Sequence, residues 1–313
     1  MNARPDLLLI GPLIPRAMEQ LAATYAVHRY DLAPDKDALI AQLAPRLTAI
    51  ATRGDYPLAG ALMKRLPKVK LIASSGVGFD GIDIESARTL GIAVTNSAGG
   101  ASECVADTTW GLILATVRKI VFNDKYVRAG GWQKAPAPLT EKVWGERLGI
   151  IGLGSIGRAV ARRAEGFRMN VAYHGRHRQP DVAYRYYANP IDLARDVKIL
   201  VVAIPGGGST KNFVDRHVID ALGPDGYLVN ISRGTNVDEP YLVDALVNKR
   251  LAGAGLDVFA SEPHIPEALV ALDNVVLQPH VGSGSLATRN ALGQFTVDNL
   301  AAFFAGKPLL TPV

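Results

Sequence analysis

The amino-acid sequence predicts an α/β protein built on two doubly wound parallel sheets. Three observations support this prediction. Short apolar segments alternate with segments of helical periodicity through residues 1–97, and a second alternation runs from residue 148 to residue 277. The second series opens with Gly-Leu-Gly-Ser-Ile-Gly at residues 152–157, between an apolar segment and a helical one. Strands that alternate with helices form parallel sheets covered on both faces, so each series predicts one α/β domain.

The first series contains five predicted strands. Each strand is a short aliphatic run, and each intervening helix spaces its apolar residues three or four positions apart. The predicted strands are 6–10, 27–30, 47–52, 70–74 and 92–95, and the predicted helices are 15–26, 36–44, 60–66 and 82–90.

The second series follows a long, mostly apolar helix predicted at residues 101–120. Its sheet has about six predicted strands. The strands are 148–151, 170–173, 199–204, 227–231, 255–259 and 275–277, and the helices are 157–166, 191–195, 215–222 and 239–248.

One more helix is predicted after the second sheet is complete, at residues 285–304. It should therefore return to the first domain and pack there through one apolar face. That face carries Leu292, Phe295, Leu300 and Phe303. We predict one domain from residues 1–97 and 285–313, with a second domain, residues 98–284, inserted into it.

Charge and cysteine content exclude several classes of protein. The 313 residues carry a formal net charge of +5, but Lys and Arg form no dense block, so we expect no nucleic-acid partner. The single cysteine, Cys104, excludes an internal disulfide framework and is typical of a reducing compartment. The apolar run 7–10 is too short to cross a membrane and is followed by Gly11 and Pro12. We expect a cytoplasmic protein with no membrane partner and no metal site.

The glycine motif predicts a dinucleotide site. Gly152 permits the tight turn after the strand, Gly154 lets the backbone approach a pyrophosphate, and Gly157 lets the helix lie close to the strand. The free N–H groups at the helix start, from Ser155, Ile156 and Gly157, would then bind the phosphates.

The residues after the next strand indicate NADP(H) rather than NAD(H). Enzymes that use NAD usually place Asp or Glu there, to bind the ribose hydroxyls. Here residues 171–173 are followed by His174-Gly175-Arg176-His177-Arg178, which contains no carboxylate. Guanidinium groups bind a 2′-phosphate through paired, charge-assisted hydrogen bonds, so Arg176, His177 and Arg178 are predicted cofactor contacts.

Three polar residues follow strands of the second sheet, where open α/β folds bind ligands: Arg233, Glu262 and His280. They suit the reduction of a 2-oxo acid. An arginine is a fixed cation for the substrate carboxylate. A histidine can give a proton to the carbonyl oxygen near neutral pH, and a carboxylate partner would orient its ring.

These motifs resemble those of the D-isomer-specific 2-hydroxyacid dehydrogenase family. The resemblance spans nearly the whole chain, in the family's order. The matching segments are Gly76-Val77-Gly78-Phe79-Asp80, residues 152–157, Asn230-Ile231-Ser232-Arg233-Gly234, Gly255-Leu256-Asp257-Val258-Phe259 with Glu262-Pro263, and Pro279-His280-Val281-Gly282-Ser283. The resemblance implies a Rossmann coenzyme domain inserted into a flavodoxin-like substrate domain.

The resemblance also implies roles for individual residues. Arg233 would bind the substrate carboxylate and carbonyl, His280 would donate the proton, and Glu262 would be its partner. The backbone of Val77 and Gly78 would contact the substrate carboxylate. The family also implies contacts to the cofactor. Asp257 would support the nicotinamide carboxamide, and Ile231, Gly282 and Ser283 would line the nicotinamide end. Ile204 and Pro205 would lie on the adenine side.

Within the family, the arginine-containing loop is similar to that of glyoxylate/hydroxypyruvate reductases. Residues 206–208 are all glycine, where the family more often has a Pro-Leu-Thr-like segment. The family also implies a homodimer formed through the 101–120 helix and the loop after it. Trp132 is a candidate to close the partner's substrate pocket, whereas Trp110 and Trp144 are expected to be packing residues.

Two alternatives remain open from the sequence, and a third is not supported by it. The substrate could be hydroxyphenylpyruvate or another 2-oxo acid instead of glyoxylate or hydroxypyruvate. The chain could instead be a cofactor-sensing protein similar to transcriptional corepressors of this fold. A different NADP-dependent reductase, acting on imines or sugars, lacks support from the ordered Arg-Glu-His set.

Overall fold

The computed structural model describes residues 4–313. The chain divides into two compact units. One contains the chain up to Ala101 together with Ser285–Val313, and the other is Ser102–Gly284.

The first unit begins with five strands and four helices in alternation. In chain order they are β1 Asp6–Leu9, α1 Pro15–Thr24, β2 Ala26–Arg29, α2 Lys36–Leu43, β3 Ala49–Arg53, α3 Gly60–Lys64, β4 Leu71–Ser75, α4 Ile84–Thr89 and β5 Ala93–Thr95. All strand pairs are parallel, in the order β2-β1-β3-β4-β5. This is the flavodoxin-like order.

Helices cover both faces of this sheet because its strands are apolar on both sides. Leu8 and Ile50 point to the face covered by α2, α3 and α4. Their neighbours Leu7 and Ala49 belong to a second cluster that contains Leu21 of α1. Successive strand residues point to opposite faces, so a run of buried aliphatic residues supplies two cores.

The second unit contains seven strands. Its elements are α5 Ser102–Val117, α6 Ile120–Arg128, β6 Arg147–Ile151, α7 Ser155–Gly166, β7 Asn170–His174, β8 Arg185–Tyr187, α8 Pro190–Asp196, β9 Ile199–Val202, α9 Arg216–Leu222, β10 Tyr227–Asn230, α10 Glu239–Val247, β11 Gly253–Leu256, α11 Glu267–Val270 and β12 Val275–Leu277. All pairs are parallel, in the order β12-β11-β10-β9-β6-β7-β8. This is the Rossmann order with one further strand at the β12 edge.

The last helix, α12 Leu286–Phe304, belongs to the first unit. It packs against α1 and β4, and its Leu300 lies in the same core cluster as Leu7. The chain then adds to the edge of the first sheet, where the Val313 N–H donates to the Val94 carbonyl oxygen at 2.9 Å. The predicted fold class, two doubly wound parallel sheets, is confirmed.

The main differences from the sequence-based prediction lie in the second unit. The sheet of the second unit has seven strands instead of about six, because Arg185–Tyr187 pairs with β7 at the sheet edge. The helix predicted at 101–120 ends at Val117, since Lys119 takes a left-handed backbone conformation with φ 50° before α6 begins. Across residues 4–313, no helix is both long and apolar enough to cross a membrane.

Candidate active site

A glycine turn joins β6 to α7 at the point where the strand order reverses. β6 lies between β7 and β9, and open α/β sheets bind ligands at such points. Gly152 has φ +98°, and a Cβ there would lie 2.6 Å from the carbonyl oxygen of Ala203. A Cβ on Gly157 would lie 2.2 Å from the carbonyl oxygen of Gly152. Glycine is therefore needed at both positions for the turn to form.

Gly154 is different, because the protein itself would tolerate a side chain there. Its φ is −79°, and no heavy atom lies within 4 Å of the position that a Cβ would occupy. It precedes α7, and no side chain caps that helix start. The first N–H groups of α7, from Ser155 and Ile156 onward, have no intrahelical acceptor, and the helix dipole favours an anion beside them. Open space next to an uncapped helix start fits a dinucleotide pyrophosphate.

A cationic loop follows β7. The side chains of Arg176, His177 and Arg178 are exposed, and neither arginine is paired with a carboxylate among residues 4–313. A pair of guanidinium groups without acidic partners, one strand away from the glycine turn, fits the 2′-phosphate of NADP(H).

The loop after β9 carries Ile204 and Pro205. Asn236 is buried, and its Nδ2 donates to the carbonyl oxygens of Ile204 at 3.1 Å and Pro205 at 3.2 Å. The same Nδ2 lies 3.2 Å from the hydroxyl of Ser232. Asn236 therefore links the loop after β9 to the loop that carries Arg233.

The Arg233 loop follows β10 and is held by buried polar groups. Asn230 accepts hydrogen bonds from the Ser232 N–H at 3.1 Å and hydroxyl at 2.8 Å, and donates from Nδ2 to the Arg233 carbonyl oxygen at 2.9 Å. The Arg233 guanidinium donates to the Ser232 carbonyl oxygen at 2.7 Å. A Cβ on Gly234 would lie 1.9 Å from the carbonyl carbon of Phe259. The loop thus lies directly against the segment that follows β11.

Glu262 and His280 form a hydrogen-bonded pair. Glu262 Oε2 lies 2.8 Å from His280 Nδ1, and the side chains are 34% and 42% exposed. The other carboxylate oxygen, Oε1, accepts the Phe259 N–H at 3.1 Å. That second bond fixes the carboxylate, which in turn orients the imidazole ring.

His280 has φ 53°, in the left-handed region. This conformation costs an L-residue about 1–2 kcal/mol. Asp257 offsets that cost, because its carbonyl oxygen accepts the His280 N–H at 2.8 Å and its carboxylate accepts the Val281 and Gly282 N–H groups at 2.8 and 2.7 Å. A Cβ on Gly282 would lie 2.9 Å from that carboxylate.

Asp257 is only 2% exposed. Burial raises the pKa of its carboxyl above the ordinary value of 3.8, against the two backbone hydrogen bonds that lower it. In this structure its carboxylate holds the backbone that follows His280, a role that the sequence did not indicate. Ile231 is buried directly after β10, and Ser283 is half-buried after Gly282.

Val77 and Gly78 lie in the first unit, in the loop after β4. Asn96 donates from Nδ2 to the Val77 carbonyl oxygen at 2.8 Å. A Cβ on Gly54 would lie 1.7 Å from the Gly78 carbonyl oxygen. Within residues 4–313, the N–H groups of Val77 and Gly78 have no acceptor. Two adjacent unpaired backbone donors are a suitable site for a carboxylate.

The three tryptophans lie in different surroundings. Trp110 is buried and stacks on Phe167 with ring centroids 4.3 Å apart, as expected of a packing residue. Trp132 is 70% exposed. Trp144 is 62% exposed, with the ammonium of Lys142 4.8 Å from its ring centroid, so the expectation of a packing residue is not met within this chain.

The sequence does not reveal the polar residues that support the predicted site. Asn236 and Asn96 are buried, but nothing in their sequence neighbourhood distinguishes them from ordinary turn residues. Their acceptors, such as the Val77 carbonyl oxygen, become neighbours only when the chain folds.

Comparison with known proteins identifies the family. The model of the D-isomer specific 2-hydroxyacid dehydrogenase NAD binding domain matches residues 110–282. A glyoxylate/hydroxypyruvate reductase A of Arabidopsis thaliana is 44% identical over 306 residues, covering 98% of each chain. A hydroxyphenylpyruvate reductase of Plectranthus scutellarioides is 45% identical over 306 residues, again covering 98% of each chain.

A solved structure is similar over nearly the whole chain. An NADPH-dependent glyoxylate/hydroxypyruvate reductase from Sinorhizobium meliloti, in complex with NADP and malonate, has a TM-score of 0.92 and 40% identity, covering 99% of this chain and 97% of that chain. The predicted family is confirmed, as is the prediction of an oxidoreductase with a nicotinamide-dinucleotide domain. The chain belongs to the D-isomer specific 2-hydroxyacid dehydrogenase family.

Proposed function

We propose that the protein uses NADPH to reduce small 2-oxo acids, first among them glyoxylate and hydroxypyruvate, to D-2-hydroxy acids. The observation that carries the proposal is the pair formed by Glu262 and His280, whose nitrogen and oxygen lie 2.8 Å apart in the same unit as the glycine turn. The relatives at 44% and 40% identity carry the name of this activity.

His280 acts as the proton donor in this proposal. Its Nδ1 is bonded to Glu262, which leaves Nε2 as the ring nitrogen for the substrate carbonyl oxygen. The Glu262 carboxylate stabilises the protonated ring and holds the tautomer with hydrogen on Nδ1 once the proton has left. In the oxidative direction the neutral ring accepts the hydroxyl proton at the same atom.

The substrate's carboxylate and carbonyl oxygen are bound by other groups. The planar guanidinium of Arg233 can hold the carboxylate and polarise the carbonyl oxygen. The N–H groups of Val77 and Gly78 offer two further donors to the carboxylate. Ser283, which follows the His280 loop, completes the proposed substrate contacts.

The coenzyme, when bound, supplies the hydride that reduces the carbonyl carbon. The residues that would hold its pyrophosphate are Gly152, Gly154, Ser155, Ile156 and Gly157. Arg176, His177 and Arg178 would bind the 2′-phosphate, and this sets the proposed preference for NADPH over NADH. The contacts proposed nearer the nicotinamide and adenine are Ile204, Pro205, Ile231, Asp257 and Gly282.

Hydroxyphenylpyruvate is a second candidate substrate. It is favoured by the 45% identity to a protein named hydroxyphenylpyruvate reductase. Assays with both substrate classes distinguish the candidates, because an aromatic oxo acid needs a larger pocket than glyoxylate does.

We further propose a cytoplasmic homodimer. The segment from α6 to residue 144 exposes apolar side chains that a partner subunit would cover. They are Ile120, Val121, Val127, Trp132, Leu139 and Trp144. Light scattering on the purified protein tests the dimer: a monomer mass would remove this part of the proposal.

The decisive variant for the chemistry is His280→Asn. Asparagine tolerates the left-handed backbone but carries no proton at neutral pH to donate as an acid. We expect kcat to fall about 10²- to 10⁴-fold, the range for loss of a general acid, while the Kd for NADP⁺ measured by calorimetry stays unchanged. His217→Asn, at an exposed position of α9, is the matched control and should keep full activity. Retained activity in His280→Asn would remove the proposed proton donor.

A further inference from the structure

The segment 175–179, between β7 and β8, is fixed at both of its ends. At one end the Tyr186 hydroxyl donates to the carbonyl oxygen of Gly175 at 3.2 Å. At the other end the Gln179 N–H donates to the hydroxyl of Tyr173, a fully buried residue of β7, at 2.7 Å. The three residues between these ends carry the exposed Arg176 and Arg178. Their backbone is therefore held while their side chains stay accessible.

Gln179 also connects this segment to the glycine turn. Its Nε2 donates to the carbonyl oxygen of Leu153 at 3.0 Å. Leu153 is the residue between Gly152 and Gly154. The loop proposed for the 2′-phosphate and the turn proposed for the pyrophosphate are thus joined by one side chain.

Arg158 completes the connection from α7. Its guanidinium donates to the side-chain oxygen of Gln179, and it pairs through two nitrogens with the two oxygens of Asp181, at 2.7 and 3.0 Å. The hydrogen bond from Arg158 holds the pKa of Asp181 below its ordinary value. A cation one residue past the last motif glycine would ordinarily be assigned to the phosphates, but here it is occupied by the loop.

We propose that Gln179, Arg158 and Asp181 form a positioning cluster that sets the spacing between the glycine turn and Arg176/Arg178, and so selects a dinucleotide that carries a 2′-phosphate. The proposal rests on the NADPH preference proposed above. The 2′-phosphate and the pyrophosphate of such a ligand are attached to the same ribose, so the distance between them varies little. A loop that is already held at the matching distance loses less conformational entropy when it binds the 2′-phosphate. The protein therefore favours a ligand with a 2′-phosphate over one without it.

Charge alone predicts the opposite effect for one member of the cluster. Asp181 is an acidic residue close to a loop proposed to bind a phosphate. If it acted only through its charge, removing it would strengthen phosphate binding. If it acts by holding Arg158 and the loop, removing it weakens phosphate binding.

Calorimetry on the full-length protein distinguishes these two outcomes. The probes are adenosine 2′,5′-bisphosphate and 5′-AMP, which differ only in the 2′-phosphate. For Asp181→Ala, and separately for Gln179→Leu, we expect the bisphosphate Kd to rise about fivefold, as for one lost hydrogen bond. The 5′-AMP Kd should stay within about twofold, since the glycine turn keeps its own backbone contacts. Asp37→Ala, which removes an exposed partner of Arg65 in the other unit, is the control and should change neither value.

Three results would overturn the inference. Tighter or unchanged bisphosphate binding in both variants would show that the cluster does not position the loop. An equal loss of affinity for both probes would show only a general structural role. A wild-type protein that binds both probes equally would refute the proposed NADPH preference as well, and it is recognised before any variant is made.

Discussion

Replacing Gly154 with alanine separates the coenzyme-binding role of the glycine turn from its role in folding. Gly154 has an ordinary backbone φ of −79°, and a Cβ there would meet no heavy atom within 4 Å. We therefore expect the free energy of unfolding to change by no more than about 1 kcal/mol, as the loss of a glycine cap and the stiffer unfolded chain oppose each other.

The same methyl group would occupy the space proposed for the pyrophosphate. Moving the phosphate away from the start of α7 would lose one charge-assisted hydrogen bond, worth about 1.5–3 kcal/mol. The Kd for NADP⁺ should therefore rise about 10- to 100-fold.

Gly157→Ala provides the opposite case. Its Cβ would lie 2.2 Å from the Gly152 carbonyl oxygen, so the helix would have to move about 1 Å, and overpacking of this kind costs about 1–3 kcal/mol.

Urea unfolding and calorimetric titration with NADP⁺ measure the two effects independently. We expect Gly154→Ala to fold like the wild type and bind poorly, and Gly157→Ala to unfold more easily. Wild-type affinity in Gly154→Ala would contradict the proposed pyrophosphate site, and a loss of stability as large as that of Gly157→Ala would show that Gly154 is needed for folding.

Three further predictions concern the proposed active site. Glu262→Gln keeps the size of the side chain but removes the charge beside His280, so kcat should fall about tenfold, the difference between a charged and a neutral hydrogen bond, at unchanged NADP⁺ affinity by calorimetry. Thr311 supports the loop proposed to bind the substrate carboxylate, because its hydroxyl donates to the carbonyl oxygen of Asn96 at 2.5 Å and the Asn96 side chain holds the Val77 carbonyl oxygen. Thr311→Val removes that hydroxyl, so steady-state kinetics should give a KM for the oxo acid about threefold to fivefold higher, with kcat nearly unchanged. Because burial raises the pKa of Asp257, its contribution to the free energy of unfolding is complete below pH 3.8 and is lost as the pH rises through the raised pKa. In urea unfolding, the wild type should therefore lose stability relative to Asp257→Asn as the pH rises through that window.

Each of these predictions has an outcome that contradicts it. A Glu262→Gln enzyme with wild-type kcat would mean that the charge does not assist the histidine. Thr311→Ser retains the hydroxyl and should restore the KM; an equally high KM in that variant would assign the effect to packing. A stability difference between wild type and Asp257→Asn that is constant with pH would contradict the direction given for the Asp257 pKa.

The sequence was sufficient for the architecture because strand and helix periodicities and the glycine turn are local signals. The prediction was wrong where a strand was too short to show an alternation, or where an apolar pattern continued across a helix end. Arg185–Tyr187 has three residues and a charged end, which is too little to show an alternation. The break at Lys119 has no glycine or proline to mark it, and the apolar pattern continues into α6.

The positions of the candidate site residues at the strand ends were also predictable, but not the side chains that support their loops. Arg233, Glu262 and His280 follow strands in one sheet, and parallel strands bring their carboxyl ends to one edge. Asn236 and Gln179 act on carbonyl groups of loops that are distant in sequence, so only the folded chain identifies their partners. The same holds for the carboxylate of Asp257, which supports the backbone after His280.

The proposed activity is tested most directly by measuring the consumption of NADPH and of NADH with hydroxypyruvate, glyoxylate, pyruvate and hydroxyphenylpyruvate offered in parallel. We expect rapid turnover of hydroxypyruvate or glyoxylate with NADPH, much slower turnover with NADH, and a D-hydroxy acid as the product. Tight NADPH binding with no turnover of any of the four acids would contradict this expectation, and so would equal rates with the two coenzymes.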